Sequence, residues 1–140
     1  MSTQMNSNMK VKEVMLSLDK TPVIAEKVIM KEALEQMSES SLGIACILDI
    51  KGSLLGILTD GDIRRKILKI QKPLSALFID DALDHAILSP VVILQSESLI
   101  DAILLMDKKQ VWDLPVVDKQ NKLVGLLHLH SAVQTLLAID

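Results

Sequence analysis

The stretch 56–65, which reads GILTDGDIRR, combines hydroxyl, carboxylate and guanidinium groups at a strand-to-helix junction. The apolar run 54–58 predicts a buried strand, and the turn-forming residues after it predict a helix that begins at Ile63. Polar groups at a helix N-terminus suit an anion or a sugar hydroxyl. Arg64 and Arg65 would lie in the first turn, where the macrodipole disfavours cations unless nearby carboxylates or a bound anion offset them. A solvated helix cap with two exposed arginines is the alternative.

Composition excludes several function classes. The 140 residues carry a net charge of −3, and their 49% hydrophobic content includes one Phe, one Trp and no Tyr. Without a basic cluster or aromatic platforms, nucleic acid and anionic membranes are poor partners. No apolar run is long enough to span a bilayer, and no signal peptide is visible. The single cysteine, Cys46, reads as a core residue of an apolar strand and fits a reducing compartment. We therefore expect a soluble, cytoplasmic protein.

The secondary-structure signals occur twice in one order: extended segment, helix, strand, hairpin turn, strand, helix. Two such copies should pack on each other around a pseudo-twofold axis. We therefore predict an α+β fold of two β-α-β-β-α repeats, with a flexible leader at 1–9, repeats at 10–71 and 72–140, and a connection at 66–88. Matched residues recur 69 positions apart, which is the signature of an internal repeat: Ala33 and Ala102, Met37 and Met106, Asp49 and Asp118, Gly56 and Gly125.

This order, with its Gly-x-x-Thr-x-x-Asp motif, resembles a tandem pair of CBS domains, also called a Bateman module, from Val14 to Leu137. More narrowly, LG at 42–43, GILTDGDIRR at 56–65, LPVVD at 114–118 and GLLHLH at 125–130 are similar to one subgroup. This is the pair at the C-terminus of D-arabinose 5-phosphate isomerases of the sugar-isomerase (SIS) type, which make the precursor of the lipopolysaccharide sugar Kdo. CBS pairs attached to sugar nucleotidyltransferases share the TDGDIRR run, whereas the His-x-His ending favours the isomerase subgroup.

The resemblance implies a regulatory chain that is not itself an enzyme. In that family a SIS isomerase domain precedes the pair, and the residues before Lys10 cannot hold it. The implied partners are that isomerase domain and a second CBS pair in a homodimer. The implied effector is an adenine nucleotide or a CMP-Kdo-like nucleotide-sugar in the cleft between the repeats, with no required cofactor. The alternative is an assembly module without a ligand; an independent enzyme has no support, since no nucleophile–base pair, carboxylate dyad or Walker loop occurs.

The family pattern assigns roles within the first repeat. The Thr59 hydroxyl is expected to cap the helix and contact phosphate, and the Asp62 carboxylate to accept hydrogen bonds from both ribose hydroxyls. The alternative for both residues is a purely structural cap. Asp60 fills a family position too, with capping as its local role. Arg64 and Arg65 are expected to contact ligand phosphate or a partner domain.

The second repeat departs from that pattern. His128 stands at the position of Thr59, and Ser131 replaces the aspartate, so we expect a single ribose site, in the first repeat. Ser131 is predicted to be a helix N-cap. His128 and His130 are predicted on one side of a strand, hydrogen bonding into the cleft, because two histidines are too few for zinc. Trp112 would cover a base or pack between the repeats. The predicted ligand-binding set is Thr59, Asp60, Asp62, Arg64, Arg65, His128, His130 and Ser131, without catalytic residues or metal ligands.

Overall fold

A computed structural model describes residues 8–137, so most of the leader predicted at 1–9 lies outside the described residues. The chain divides into two compact units. The first unit comprises residues 21–90, and the second comprises residues 8–20 together with residues 91–137. Each repeat marked out in the sequence, 10–71 or 72–140, thus starts with a segment that the structure places in the other unit.

The described residues form an α+β fold, as the sequence predicts. The strands are β1 (Leu16–Ser17), β2 (Val23–Ala25), β3 (Ile44–Leu48), β4 (Leu54–Thr59), β5 (Ile93–Leu94), β6 (Asp113–Val117) and β7 (Leu123–His128). The α-helices are α1 (Met30–Ser40), α2 (Asp60–Ile70), α3 (Leu74–Phe78), α4 (Leu99–Lys109) and α5 (Leu129–Leu137). No helix among residues 8–137 combines the length and apolar character that crossing a membrane requires.

The first unit packs α1 on a three-stranded sheet of order β2-β3-β4. Strand β2 runs parallel to β3, and β3 is antiparallel to β4. The helical spacing of Met30, Ala33, Leu34 and Met37 predicts one buried face for α1. In the structure Met30, Ala33 and Met37 are buried and Leu34 is half-buried. They pack against Ile47 and Leu58 of the sheet. The resulting core holds the β4–α2 junction in place.

The second unit repeats this arrangement on a sheet of order β1-β7-β6-β5. The predicted 69-residue spacing extends to the strand register, since Ile44 pairs with Thr59 in the first unit and Asp113 with His128 in the second. It extends also to backbone detail. Helices α1 and α4 both end in a left-handed residue, Ser41 (φ 58°) or Gln110 (φ 56°). The repeat inferred from the sequence is therefore a structural repeat.

A short segment closes the outer edge of each hairpin. Leu16 pairs with Leu126 in the second unit, and Ile87 pairs with Ile57 in the first. The connection predicted at 66–88 is therefore not a simple linker: it contains the end of α2, helix α3 and the closing segment of the first unit. The closing strands approach so tightly that a Cβ on Gly56 would lie 2.7 Å from the Ile87 carbonyl oxygen.

Candidate functional site

Helix α2 begins at Asp60, three residues before the predicted start at Ile63. Thr59 is the N-cap, with extended backbone (φ −124°, ψ 156°), and its Oγ1 accepts a hydrogen bond of 3.2 Å from the Asp62 amide. This cap turns the predicted turn residues into the first helical turn. The prediction that Arg64 and Arg65 occupy the first turn was therefore wrong. They lie in the second turn, where the macrodipole opposes a cation less.

Three side chains meet at this helix start. The Thr59 hydroxyl donates to Asp62 Oδ2 at 2.6 Å, and Arg65 Nη2 donates to Asp62 Oδ1 at 2.7 Å. The Asp62 side chain is 21% exposed and the Arg65 side chain 62% exposed. We call this set, Thr59, Asp62 and Arg65, the α2 cluster. It presents a carboxylate, with an attached cation, at the N-terminus of a helix.

The surroundings of Asp62 keep its carboxyl group ionised. Partial burial raises its pKa, but hydrogen bonds from Thr59 and Arg65 and the charges of Arg65 and Lys66 outweigh this, so the net pKa lies below the ordinary value of 3.8. The group is therefore an anion at neutral pH. An ionised carboxylate is a strong acceptor for a vicinal diol, and this agrees with the role that the family pattern assigns to the position.

Asp60 belongs to a different surface from Asp62. Its amide donates to the Gly43 carbonyl at 3.1 Å, and its Oδ2 would lie 2.8 Å from a Cβ built on Gly43. The carboxylate lies beside a cavity of 300 Å³ that Ser38 and Ser41 of the α1 end also line. Asp60 thus joins the end of α1 to the start of α2, in keeping with a local structural role.

Arg64 is not part of the α2 cluster. Its side chain is exposed, and it forms no ion pair with any residue between 8 and 137. Arg64 and Arg65, to which the sequence analysis gave one role, thus have different surroundings in the structure. Only Arg65 lies within reach of Asp62.

The equivalent corner in the second unit has different side chains on the same backbone. The Leu129 amide donates to the Trp112 carbonyl at 2.8 Å, as the Asp60 amide does to Gly43. His128 ends β7, and its Nδ1 lies 2.8 Å from Asp113 Oδ1. We call His128 and Asp113 the β7 pair. A histidine bound to a strand neighbour therefore occupies the place of the Thr59 cap.

Two predictions for this corner were wrong. Ser131 is not an N-cap but the third residue of α5, and His130 lies in α5 rather than on a strand face. The cause is that β7 stays paired up to His128 and the helix starts at once. His130 and Ser131 are both exposed, and the Trp112 side chain is 71% exposed. Of the predicted residues in this repeat, only His128 forms a described side-chain contact.

Asp113 is the polar residue of this corner that the sequence analysis missed. Burial raises its pKa above 3.8, and the hydrogen bond and charge of His128 offset this only in part. The 69-residue spacing contained the signal, because it aligns Asp113 with the buried Ile44. A carboxylate at a core position of a strand requires a donor, and His128 is the matching group.

Two further candidates were a reactive thiol at Cys46 and a metal site. Cys46 is fully buried in β3, as predicted for a core residue. Within residues 8–137, no three His, Cys, Asp or Glu side chains gather as they would have to around a metal ion.

Comparison with known proteins identifies the family. The sequence profile of the CBS domain matches the chain twice, over residues 11–69 and 83–138. The chain belongs to the CBS-domain family. The resemblance to a tandem CBS pair is thereby confirmed. Each match, like each repeat marked out in the sequence, starts with a segment that the structure places in the other unit.

Solved structures agree with this assignment. The fold is similar to the structure of CBSX2 in complex with AMP, with 27% identity, a TM-score of 0.80 and coverage of 91% of this chain and 95% of that one. A second structure, CBSX2 from Arabidopsis thaliana, gives 26% identity and a TM-score of 0.78, over 90% of this chain and 92% of that one.

Curated relatives are longer proteins. The chain is 34% identical over 127 residues to an uncharacterised protein of Helicobacter pylori strain J99, covering 89% of this chain and 36% of that protein. It is 29% identical over 126 residues to the arabinose 5-phosphate isomerase GutQ of Escherichia coli K12, covering 89% of this chain and 37% of that protein. The chain thus spans little more than a third of these relatives.

Proposed function

We propose that this CBS pair is a regulatory module that binds an adenine nucleotide at the α2 cluster of the first unit. The observation that carries the proposal is the ionised Asp62 carboxylate, oriented by the Thr59 hydroxyl at a helix N-terminus. The carboxylate suits the two hydroxyls of a ribose, and the helix N-terminus suits phosphate. The complex of CBSX2 with AMP, at 27% identity, supports an adenine nucleotide over a CMP-Kdo-like nucleotide-sugar.

The second unit offers no equivalent ribose site. Ser131 stands where Asp62 stands in the first unit, and its side chain is exposed. A hydroxyl gives a diol a weaker acceptor than an ionised carboxylate does. The proposal is therefore one nucleotide per CBS pair, and its affinity rests on Asp62.

The regulated activity is proposed to be that of a sugar-phosphate isomerase in the same polypeptide. The support is the 29% identity with GutQ, in which the matched part is 37% of the protein. Regulation requires that the nucleotide bind two conformations with different affinity. Arabinose 5-phosphate isomerase activity of the full-length gene product, with and without AMP, therefore tests this part directly.

Nucleotide binding is tested by thermal unfolding with AMP, ATP and a CMP-sugar as probes. At a concentration of 100 times Kd, a ligand adds about 2.7 kcal/mol of stability, which raises the Tm of a chain of this size by roughly 5–10 °C. Asp62→Ala should abolish most of the shift, because hydrogen bonds to a charged group contribute about 1.5–3 kcal/mol each.

Asp101→Ala is the matched control. Asp101 is the third residue of α4 and donates its amide to the Ser98 cap at 3.0 Å, as Asp62 does to Thr59 in α2. The variant keeps the capping bond, which its backbone amide donates, but removes a carboxylate from the first turn of a helix as Asp62→Ala does, and it should keep the nucleotide shift. If the wild-type Tm stays constant with every probe, the nucleotide proposal fails. A shift with the CMP-sugar alone would redirect it to the nucleotide-sugar.

A second candidate function is assembly of a homodimer without a ligand. Three large apolar side chains of α2 and α3 are solvent-exposed: Ile67 at 40%, Leu68 at 68% and Leu74 at 50%. Large apolar side chains left open to solvent are candidate contacts of an interaction surface. A chain that dimerises in solution but shows no Tm shift with any nucleotide would favour this function.

A further inference from the structure

Asp60 has a carboxylate that the β4–α2 corner does not use. Its backbone amide holds the corner by donating to the Gly43 carbonyl at 3.1 Å. Its side chain forms no hydrogen bond or ion pair with the part of the chain that the structure describes. The carboxylate lies beside the cavity of 300 Å³ at the end of α1, which we call the α1-end cavity. The lining combines hydroxyl and apolar side chains, among them Ser38, Ser41, Leu34 and Leu42.

The end of α1 is short of positive charge and of hydrogen-bond donors. Its last turn contains no basic residue, whereas the last turn of α4 contains two lysines. In α4 the Asp107 carbonyl accepts from the Gln110 side chain at 2.6 Å and from the Gln110 amide at 3.3 Å. The matching Ser38 carbonyl accepts from the Ser41 amide at 3.4 Å, and no described side chain donates to it. Because the last carbonyls of a helix carry partial negative charge, this end favours a cation.

We propose that the α1-end cavity binds an alkylammonium group, at a site separate from the α2 cluster. The Asp60 carboxylate provides the counter-charge. The hydroxyls of Ser38 and Ser41 and the end of α1 provide neutral acceptors for the N–H donors of the ammonium. Leu34 and Leu42 suit the methylene groups that such a ligand carries. This site does not depend on nucleotide binding.

The groups around the cavity favour an ammonium over a metal ion. Ca²⁺ takes about six to eight oxygen ligands in sites built around carboxylates, and no group of three His, Cys, Asp or Glu side chains forms among residues 8–137. The cavity of 300 Å³ is also about ten times the volume of a water molecule, so a bare ion would leave most of it empty. One carboxylate beside a roomy, partly apolar cavity matches one monovalent organic cation.

The second unit lacks this site. Leu129 stands at the position of Asp60, and Trp112 stands at that of Gly43. Gly43 matters because a Cβ at its position would lie 2.8 Å from Asp60 Oδ2, so a larger residue would displace the carboxylate. The first unit thus combines the acid, the glycine beside it and the helix end without a cation.

The test is an NMR titration of the full chain with butylammonium and with Nα-acetyl-lysine methylamide, at constant ionic strength made up with KCl. The amides of Ser38, Ser41 and Gly43 should shift and saturate, with a Kd in the millimolar range because one exposed ion pair contributes little. Comparable binding of the lysine derivative would assign the site to a lysine of a partner protein. Binding of butylammonium alone would assign it to a free amine. Shifts that do not saturate, or that KCl alone reproduces, would overturn the proposal.

Three variants show whether the Asp60 carboxylate is responsible. Asp60→Asn keeps the backbone bond of the corner and should weaken butylammonium binding about fivefold, the upper end for an exposed ion pair. Gly43→Ala keeps every charge but moves the carboxylate, and it should also weaken binding. Asp101→Asn removes a carboxylate from the first turn of α4, and it should bind as the wild type does. Unchanged binding in Asp60→Asn, or an equal loss in Asp101→Asn, would overturn the proposal.

Discussion

At the corner between β4 and α2 the first unit carries Thr59, Asp62 and Arg65, and at the corner between β7 and α5 the second carries His128 and Ser131 at the positions of Thr59 and Asp62. The backbone has the same arrangement at both corners despite these different side chains. Both helices begin right after the strand, and in each case the first helical amide donates to the carbonyl of the residue that precedes the neighbouring strand, at 3.1 and 2.8 Å. The corner is therefore built by strand pairing and core packing, and its side chains are free to serve different chemistry.

The two corners handle their carboxylates in opposite ways. In the α2 cluster the carboxylate is on the helix and partly exposed, and its partners favour the charged form. In the β7 pair the carboxylate is in the strand, the Asp113 side chain is 12% exposed, and burial disfavours the charged form. Only the first arrangement leaves a carboxylate with a lowered pKa partly open to solvent. The second uses its histidine to satisfy a buried acid.

The largest effect should come from what the two corners share. Gly56→Ala would place a Cβ 2.7 Å from the Ile87 carbonyl oxygen, and Gly125→Ala would bring one still closer to the Leu16 carbonyl oxygen. Both contacts are with backbone, which cannot move aside as a side chain can. We expect each variant to lose about 3 kcal/mol of unfolding free energy, at the upper end of overpacking costs, in urea titrations.

Gly52→Ala provides a control with a different cause. Gly52 has open space around its Cβ position but a positive φ of 88°, so its cost would come from backbone strain alone. Hydrogen exchange would locate the damage: faster exchange in β4 for Gly56→Ala and in β7 for Gly125→Ala. Wild-type stability of either variant would contradict the close strand approach that both units share.

A smaller effect should follow from breaking the β7 pair. His128→Ala leaves the Asp113 carboxylate buried without the donor 2.8 Å away, which should cost about 2 kcal/mol. Adding Asp113→Ile, the residue found at the matching position 44, should recover most of that loss. The raised pKa of Asp113 means that its charged form opposes folding, and that stability is regained as pH falls through the folded pKa, above 3.8.

The pH dependence offers the check on this interpretation. His128→Ala should lose more unfolding free energy at pH 7 than at pH 4, where Asp113 is closer to neutral. Equal losses at both values would mean that the β7 pair is not what stabilises this corner. Urea titrations at the two pH values, with Thr59→Ala for comparison in the other unit, measure the difference.

Periodicity predicted the helix faces and strands well, because their signal is repeated along each element. The face of α1 at Met30, Ala33 and Met37 needs only helical spacing. The second copy shows the same spacing at Leu99, Ala102, Ile103 and Met106 of α4, of which Leu99, Ala102 and Met106 are buried and Ile103 is half-buried. What recurs in the sequence was predictable.

The features that were mispredicted depend on contacts distant in the sequence. The role of Ser131 was wrong because β7 stays paired through His128. The start of α2 is the exception, since the cap that decides it, from Thr59 to the Asp62 amide, is local. The assignment of the first segment of each repeat to the other unit also depends on contacts distant in the sequence. Nothing local shows that the segment around Leu16 pairs with Leu126 rather than with its own repeat. The partnership of His128 with Asp113, 15 residues apart, also forms only in the folded sheet.

The smallest predicted effect concerns the pH dependence of the unfolding free energy, to which Asp62 and Asp113 should contribute with opposite signs. Because the folded pKa of Asp62 lies below 3.8, its contribution to stability is present above the unfolded value and is lost as pH falls through the folded pKa. Asp62→Asn should therefore flatten the acid side of the stability profile below about pH 4, whereas Asp113→Asn should steepen it by removing an acid that folding prefers to protonate.

The sign of the change in the stability profile distinguishes the two carboxylates better than its size does. We expect a few tenths of a kcal/mol for Asp62, since its partner Arg65 is largely exposed and exposed pairs contribute little. Urea titrations between pH 3 and 7 on both variants would measure it. Shifts of the same sign would mean that the two corners do not treat their carboxylates differently. The proposed nucleotide site would then consist of Thr59 and Arg65 without an ionised Asp62 at its centre.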